Sequence, residues 1–369
     1  MARGPDDTGV ELLARWLEGR IAAGDIPGAV WGIDDPGSGL LSGAQGLRAV
    51  LPREEPASAD TIWDLASLTK PLATTTILLR LVEQGAVALE QPAARWLPEL
   101  DGADHARITL AHLASHRSGL PAWHPLYTHG ATAAAYLAAI AALPLEAPPG
   151  ERAVYSDLGF ILLGAILERA SGESLDRLTE RHVAGPLGCI TLRFLPPAAD
   201  AGRIAPTEKD QETERAMVAE RGLHYDGWRP GVLRGTVHDA NVGTLGGVAG
   251  SAGLFGTLED VIAVAREYLG RGRGLLSPAS RALAQAPLPA AGEVRTIGWQ
   301  GGATAGSAAE GVLPPESFGH NGFTGPSLWL DPRRARVYAL MTNRVHPAVR
   351  CREMNALRRE FHRIAASIG

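Results

Sequence analysis

The distribution of apolar residues predicts amphipathic helices near both ends of the chain and further helices between them. At residues 8–23 and again at 352–368, apolar side chains recur every three or four positions. The helices predicted between these two segments cover residues 67–85, 108–121, 157–172 and 257–272. Proline is tolerated only in the first turn of a helix, so Pro71 indicates a start near Ser67. Gly85 is a typical helix stop.

Short apolar runs bounded by turn residues predict strands at both ends of the chain. These predicted strands cover residues 28–34, 39–46, 326–332 and 335–343. Residues 200–235 are polar and have no period, which predicts a long loop. The pattern favours an α+β protein with a sheet lobe built from residues 1–66 and 245–369. A mainly helical lobe, residues 67–244, is inserted between them, and its loop at 200–244 is expected to border a cleft.

Composition narrows the class of protein. The chain has 369 residues, of which 45% are hydrophobic and 20% charged, as in an ordinary globular protein with one large domain or two lobes. A net charge of -5 with scattered arginines excludes the charge pattern of a nucleic-acid binder. No segment has the length of a membrane span or the pattern of a signal peptide, so we expect a cytoplasmic protein with no membrane partner. The oligomeric state stays open, as does pairing between the only two cysteines, Cys189 and Cys351.

The use of lysine points to a candidate site. Among 35 basic residues only Lys70 and Lys209 are lysines. Arginine stays protonated in proteins, whereas a buried lysine can lose its proton. Ser67 lies three residues before Lys70, on the same face of the predicted helix, where the helix dipole favours negative charge and a lowered lysine pKa. The pair predicts a serine nucleophile with an adjacent amine, although Ser67 as a plain helix cap is the alternative.

Two further motifs carry candidate chemistry. Tyr155 and Asp157 stand just ahead of the predicted helix at 157–172. A tyrosine near a cation can ionise and relay protons, whereas the alternative is a half-buried aromatic residue with Asp157 as a helix cap. His320 and Gly322 lie on a glycine-rich strand that leads into the final sheet. There Gly322 permits close approach of a substrate to the backbone, and His320 is a cation or donor at the site or else an ordinary strand histidine.

Together, Ser67-x-x-Lys70, Tyr155-x-Asp157 and His320-x-Gly322 resemble the three motifs of the serine β-lactamase and penicillin-binding-protein superfamily. The spacing is similar to that of class C β-lactamases, D-alanyl-D-alanine carboxypeptidases and esterases of that fold. Connecting segments such as "ITLAHLASHRSGLP" and "GGVAGSAGLFGTLEDV" extend the resemblance over nearly the whole chain. The resemblance implies the β-lactamase/transpeptidase-like fold, a central antiparallel sheet flanked by helices with a helical insertion.

The resemblance also implies roles for the matching residues. Ser67 is the expected acylated nucleophile, and Lys70 and Tyr155 are the expected proton-transfer pair. The backbone N–H groups of Ser67 and Phe323 are the expected oxyanion hole. The resemblance implies no metal and no organic cofactor. The expected substrate is a small ester or a peptide-like molecule.

Two positions depart from the usual pattern of the superfamily. Asp157 stands where Asn is frequent and is expected to orient Lys70 and the substrate amide. Its charge favours a protonated Lys70, so Tyr155 is expected to carry more of the base role. His320 stands where lactamases usually have Lys. Asn321, the next residue, is also expected to contact the substrate. We therefore expect an esterase or peptidase rather than an efficient β-lactamase.

Segments at 203–210 and 234–250 resemble a subgroup of these hydrolases in which they border the cleft. Candidates to line it are Glu208, His238, Asp239 and Asn241. For each of these residues the alternative is a surface loop held by local hydrogen bonds.

Other candidate functions have weaker support in the sequence. Ser251 in "VAGSAGL" approximates the nucleophile elbow of α/β-hydrolases, but too little chain follows it to complete a parallel sheet. His112 and His116 share a helix face without the Glu of a zinc-protease motif. A sensor or binding module of the same fold is the non-enzymatic alternative, although it has no need for Ser67, Lys70 and Tyr155 together.

Overall fold

A computed structural model of the protein describes residues 5–102, 104–288 and 290–368. The strands of this part of the chain are β1 (Gly28–Asp35), β2 (Gly39–Ala49), β3 (Glu55–Pro56), β4 (Trp63–Asp64), β5 (Arg152–Ala153), β6 (Arg193–Phe194), β7 (Leu254–Gly256), β8 (Ala291–Gly292), β9 (Gln300–Gly301), β10 (Phe318–Asn321), β11 (Ser327–Asp331) and β12 (Arg336–Thr342). Its α-helices are α1 (Pro5–Ala22), α2 (Thr76–Glu83), α3 (Leu110–Ala114), α4 (Ala133–Ala142), α5 (Asp157–Ser171), α6 (Leu175–Thr179), α7 (Gly185–Leu187), α8 (Glu212–Glu220), α9 (Ala240–Thr244), α10 (Leu258–Tyr268), α11 (Pro278–Gln285) and α12 (Met354–Ala366).

An antiparallel sheet of seven strands joins the two ends of the described chain. Its order is β3-β2-β1-β12-β11-β10-β9, so β1 lies between its hairpin partner β2 and the distant β12. Val30 of β1 faces Met341 of β12 in register. The predicted antiparallel sheet with flanking helices is confirmed.

The two faces of the sheet bury different cores. Alternate side chains of a strand point to opposite faces, and in β1 Trp31 packs in a core with α1 and α12, to which Leu17 and Phe361 contribute. Val30, one residue earlier, belongs to the larger core that includes α10 and the helices around α5. The predicted amphipathic helices at both ends therefore cover one face of the sheet.

Two predicted elements differ in the structure. Residues 200–235 contain α8 rather than a continuous loop. This helix turns Glu214 as well as Val218 inward, so an apolar period is missing from its sequence. The helix predicted at 108–121 is confined to α3, because the chain leaves the helical path and His116 adopts φ +57°.

Two further expectations concern cysteines and membranes. Cys189 and Cys351 are both buried and free, so the open question of their pairing is answered. Within the described residues, no helix has the length and apolar character needed to cross a bilayer.

Candidate active site

A strained turn carries Ser67. It lies in a 3₁₀ turn at Ala66–Leu68, which follows β4 and leads through a π-helical turn, Lys70–Thr75, into α2. The single helix predicted from Ser67 is therefore irregular in its first turns. Ala66 adopts φ +45°, which is uncommon for a residue with a side chain. Its N–H donates to Asp64 Oδ1 at 2.9 Å and its carbonyl accepts from Thr69 Oγ1 at 2.6 Å, so the turn is held rigidly.

The Lys70 ammonium lies next to Ser67 and is fully buried. Its Nζ donates to Ser67 Oγ at 3.0 Å, to Asp157 Oδ1 at 2.6 Å and to the Ser251 carbonyl at 2.8 Å. Burial alone lowers the pKa of Lys70, but the Asp157 charge and the neighbouring Tyr155 outweigh burial and raise it. The lowered lysine pKa expected from the helix dipole is therefore wrong, because Lys70 is held as an ammonium.

Tyr155 reaches Ser67 from the other side. Its Oη donates to Ser67 Oγ at 2.7 Å and lies 3.2 Å from Asp157 Oδ1. Ser156, rather than Asp157, caps α5 by accepting a hydrogen bond from the N–H two residues beyond Asp157. Burial raises the pKa of Tyr155 to about 12, with the Asp157 carboxylate adding to it and Lys70 opposing it. At neutral pH Tyr155 is therefore a neutral phenol, and the ionised form that the sequence left open is disfavoured.

His320 lies beside Tyr155, with ring centroids 5.8 Å apart. Burial, with the charges of Arg295 and Lys70, holds the pKa of His320 well below its usual value. Its Nδ1 lies 3.0 Å from the Asn321 carbonyl, which only accepts hydrogen bonds, so Nδ1 carries the proton and Nε2 is an acceptor. His320 as a cation is therefore a wrong expectation.

Arginines that the sequence motifs did not reveal supply positive charge near His320. Arg295 is 3% exposed, and its guanidinium carbon lies 5.3 Å from the centre of the Tyr155 ring. Arg358 of α12 donates to the carbonyls of Gly322 and Gly325. Burial, with the charge of a neighbouring arginine, lowers the pKa of Arg358 to about 9, which still leaves it cationic near neutrality. No motif marks these arginines, which are scattered along the sequence.

Gly322 brings the end of β10 against the Ser67 turn. A Cβ at this position would lie 2.7 Å from the Leu65 carbonyl oxygen, so no larger residue fits without movement. This close approach places Phe323 beside Ser67 at the mouth of the site. The Phe323 ring is 44% exposed and stacks on His238 with centroids 5.5 Å apart. Assignment of the Ser67 and Phe323 N–H groups as an oxyanion hole stays a prediction.

Two cavities meet at Ser67, Tyr155, Asp157 and Phe323. The first, of about 230 Å³, is named the acidic arm; its other lining residues include Asp64, Trp123, Glu214, Met217, Val237 and Asp239. The second, of about 260 Å³, is named the basic arm; its other lining residues include Arg295, Gln300, His320, Asn321, Arg344 and Arg358. The two cavities therefore present carboxyl groups on one side of Ser67 and guanidinium groups on the other.

Of the four residues predicted to line the cleft, His238 and Asp239 line the acidic arm. Glu208 and Asn241 are each 1% exposed and lie behind the cavity wall, so their predicted lining role is wrong. Glu208 Oε2 lies 3.0 Å from His238 Nε2. Burial lowers the pKa of His238, but this hydrogen bond and the Glu208 charge outweigh burial and raise it, which makes the contact an ion pair. Asn241 donates to the carbonyl of His124 at 2.9 Å.

The competing sites are not assembled. Ser251 is 1% exposed and contributes its carbonyl, not its hydroxyl, to the Lys70 environment. His112 accepts a hydrogen bond from the Thr109 N–H at the start of α3, and His116 accepts one from the Ser156 N–H. Across residues 5–368, apart from 103 and 289, no group of three or more His, Cys, Asp or Glu is arranged to hold a metal ion.

The fold is that of class C β-lactamases and related hydrolases. A solved structure titled "EstCE1, a hydrolase with promiscuous acyltransferase activity" matches with a TM-score of 0.75 and 22% identity, over 97% of this chain and 99% of that one. The class C β-lactamase from Rhodobacter sphaeroides matches with a TM-score of 0.74 and 20% identity, over 97% and 99%. At these identities the likeness concerns the fold alone.

The chain belongs to the β-lactamase family, whose model matches residues 13–363. A relative named "Putative D-alanyl-D-alanine carboxypeptidase" from Escherichia coli (strain K12) is 30% identical over 79% of this chain and 71% of that protein. Another, named "N-acetylmuramyl-L-alanine amidase" from Bacillus subtilis (strain 168), is 29% identical over 90% of this chain and 80% of that protein. The resemblance inferred from the three motifs is thereby confirmed, and a function of the serine-hydrolase type is supported.

Proposed function

We propose that the protein is a serine hydrolase that cleaves an ester or amide through an acyl-enzyme on Ser67. One observation carries this proposal: Ser67 Oγ lies within hydrogen-bonding distance of both Lys70 Nζ, at 3.0 Å, and Tyr155 Oη, at 2.7 Å. A serine hydroxyl needs such neighbours to lose its proton during attack. The same hydroxyl lies where the acidic and basic arms meet, so a bound molecule reaches it from either side.

The final acceptor of the serine proton is Asp157. A protonated Lys70 and a neutral Tyr155 cannot hold a further proton, whereas a carboxylate can. Tyr155 Oη lies 3.2 Å from Asp157 Oδ1 as well as 2.7 Å from Ser67 Oγ, so its one proton can turn from Ser67 to Asp157. In that arrangement the tyrosine oxygen accepts the proton of Ser67 while its own proton passes to Asp157. The Lys70 ammonium meanwhile stabilises the negative charge that develops on Ser67 Oγ. The charged residue at a position where the superfamily often has Asn thus becomes the base.

The bond changes follow from this arrangement. Ser67 Oγ attacks the carbonyl carbon, and the backbone N–H groups of Ser67 and Phe323 stabilise the oxyanion. As the tetrahedral intermediate collapses, Asp157 returns its proton through Tyr155 to the leaving oxygen or nitrogen. Water then repeats the attack on the ester of Ser67, with the proton passing along the same path. The chemistry requires no metal and no organic cofactor.

The basic arm favours a substrate whose leaving group carries a carboxylate. Arg295, Arg344 and Arg358 supply there the charge that His320 does not, and arginine suits carboxylates well. A peptide-like substrate with a free carboxylate is therefore a second candidate beside a simple ester. The names of the two curated relatives, a carboxypeptidase and an amidase, agree with an amide substrate.

The cytoplasmic location that the sequence favours stays a prediction.

The test is turnover of p-nitrophenyl acetate and butyrate, beside nitrocefin, by the protein and its Ser67→Ala variant. We expect ester turnover that Ser67→Ala abolishes, with little nitrocefin cleavage. Ser251→Ala is the matched control and is expected to retain turnover, because its hydroxyl is buried. Ester turnover that survives Ser67→Ala would refute the proposal. With neither ester nor nitrocefin turned over, an acyl adduct on Ser67 sought by mass spectrometry separates a hydrolase of narrow specificity from a binding module.

A further inference from the structure

His116 holds the backbone on both sides of Tyr155. The Val154 N–H donates to the His116 carbonyl at 2.8 Å, and the Ser156 N–H donates to His116 Nδ1 at 3.0 Å. Both distances are normal for an N–H donor. One residue therefore binds the residue before Tyr155 through its main chain and the residue after Tyr155 through its side chain.

The imidazole ring of His116 also packs against the Tyr155 ring. The two ring centroids lie 4.6 Å apart, with an angle of 37° between the planes. The imidazole also contacts the buried ring of Phe160 in α5, with centroids 4.9 Å apart. His116 itself is 1% exposed, so close packing leaves these rings little freedom to move. His116 therefore restrains the side chain of Tyr155 as well as its backbone.

The main chain of His116 is strained. Its φ of +57° lies in the left-handed region, which few residues with a side chain adopt, although Asn, Asp and His do so more often than the others. Such a conformation costs free energy and persists where the surrounding contacts determine it, most often at functional sites. The two hydrogen bonds to residues 154 and 156 are contacts of this kind.

The hydrogen bond to Ser156 requires a neutral His116. A protonated imidazole donates from both nitrogens and has no acceptor for the Ser156 N–H. Burial, followed by the charges of Arg295 and Lys70, holds the pKa of His116 well below its usual value. The imidazole is therefore neutral near pH 7, and Nδ1 keeps its role as an acceptor.

The position of the Tyr155 hydroxyl is critical for the proposed proton path. Tyr155 Oη lies 2.7 Å from Ser67 Oγ and 3.2 Å from Asp157 Oδ1, and the path uses both contacts. A misplacement of about 1 Å at a reacting group lowers a rate by about 100-fold. As formed by the described residues, neither arm is lined by His116. Its influence on Ser67 therefore passes through Tyr155.

We propose that His116 is a positioning residue that fixes the Tyr155 hydroxyl between Ser67 and Asp157. This inference rests on the proposed function, in which Tyr155 relays the proton of the serine. It gives a role in the reaction to a histidine that the sequence presents only as a candidate metal ligand.

The test is a double-mutant cycle between His116→Gly and Tyr155→Phe, with kcat/KM for p-nitrophenyl butyrate as the readout. Glycine adopts a positive φ freely, so His116→Gly removes the side chain without adding strain. We expect it to lower kcat/KM by about 10- to 100-fold. In the Tyr155→Phe background the same change should cost less than about twofold, because no phenol hydroxyl is left to position. His112→Ala, which removes the other histidine of this segment, is the matched control and should change kcat/KM by less than about twofold in both backgrounds.

A second variant guards against loss of folding. Asparagine tolerates the left-handed conformation and its Oδ1 keeps an acceptor for the Ser156 N–H, although the ring is lost. His116→Asn should therefore retain more activity than His116→Gly. Where His116→Gly does not fold, His116→Asn replaces it in the cycle. An equal loss in both Tyr155 backgrounds, or unchanged activity of the variant used in the cycle, would overturn the inference.

Crystal structures of the wild type and of the same variant separate this inference from the proposed function. We expect Tyr155 Oη to lie about 1 Å or more farther from Ser67 Oγ in the variant. A displaced Tyr155 in a protein without ester turnover would remove the hydrolase function and keep the positioning role. Ester turnover with Tyr155 unmoved in the variant would do the reverse, and neither turnover nor displacement would overturn both.

Discussion

Replacing Asp157 with Asn would show how far one carboxylate controls the protonation of Lys70. Asp157 Oδ1 lies 2.6 Å from Lys70 Nζ, and the lysine side chain is fully buried. Asparagine keeps an acceptor oxygen at this position and removes the negative charge. The variant therefore separates the effect of charge from that of hydrogen bonding.

The expected cost follows from the partners of Lys70. Removing one member of a buried ion pair destabilises a protein by about 3–5 kcal/mol. In Asp157→Asn the ammonium keeps acceptors at Ser67 Oγ, at the Ser251 carbonyl and at the new amide oxygen. We therefore expect the lower end of this range, about 3 kcal/mol near pH 7. Urea denaturation of both proteins measures the difference in the free energy of unfolding.

The sign of the pH dependence differs between the two proteins. In the wild type the folded-state pKa of Lys70 is raised above the ordinary 10.5, so the stabilisation is present below pH 10.5 and is lost as pH rises through the folded-state value. In Asp157→Asn, burial becomes the dominant influence and the folded-state pKa falls below 10.5. At pH values between the lowered folded-state pKa of the variant and 10.5, the unfolded variant binds a proton that the folded variant lacks. The free energy of unfolding of the variant therefore rises with pH in this range. The stability gap should therefore narrow from about pH 7 to about pH 10.

Activity provides an independent measurement. Without Asp157 as the final acceptor, Asp157→Asn depends on a neutral Lys70 as the base. Its kcat/KM for p-nitrophenyl butyrate should be low near neutral pH and rise with pH as Lys70 loses its proton, a rise that the wild type lacks. A stability gap that stays constant with pH, together with parallel activity profiles, would refute this account of Lys70.

Two further predictions concern the contacts of Tyr155 and of Asp34. Tyr155→Phe removes the phenol 2.7 Å from Ser67 Oγ and should lower kcat/KM for the same ester by about 10²–10⁴-fold; a wild-type rate would exclude the relay. Asp34→Asn should lower the free energy of unfolding in urea by about 3 kcal/mol, because the buried carboxylate pairs with both Arg266 and Arg271, whereas Asp226→Asn at an exposed position should have little effect.

Local patterns were sufficient to predict most of the fold. The predicted strand at 28–34 corresponds to β1 at Gly28–Asp35, and the helix predicted at 257–272 corresponds to α10, with Thr257 as its cap. Such elements depend on residues that are neighbours in sequence. The prediction of a continuous loop failed at α8 because the orientation of this helix depends on residues that are distant in sequence. Glu214 faces inward there because a cavity contributed by distant segments lies on that side, and no periodic pattern reports such a cavity.

The sequence by itself determined the family, the sheet built from both ends of the chain, and the placement of Ser67 three residues before Lys70. Only the tertiary structure decided which groups are charged. Asp157, 87 positions from Lys70 in sequence, raises the lysine pKa, and Arg295 helps keep His320 neutral. Proton affinities depend on burial and on charges a few ångströms away, and both are properties of the folded chain. The same holds for the acidic and basic arms, because several distant segments of the chain contribute their lining residues and meet only in space.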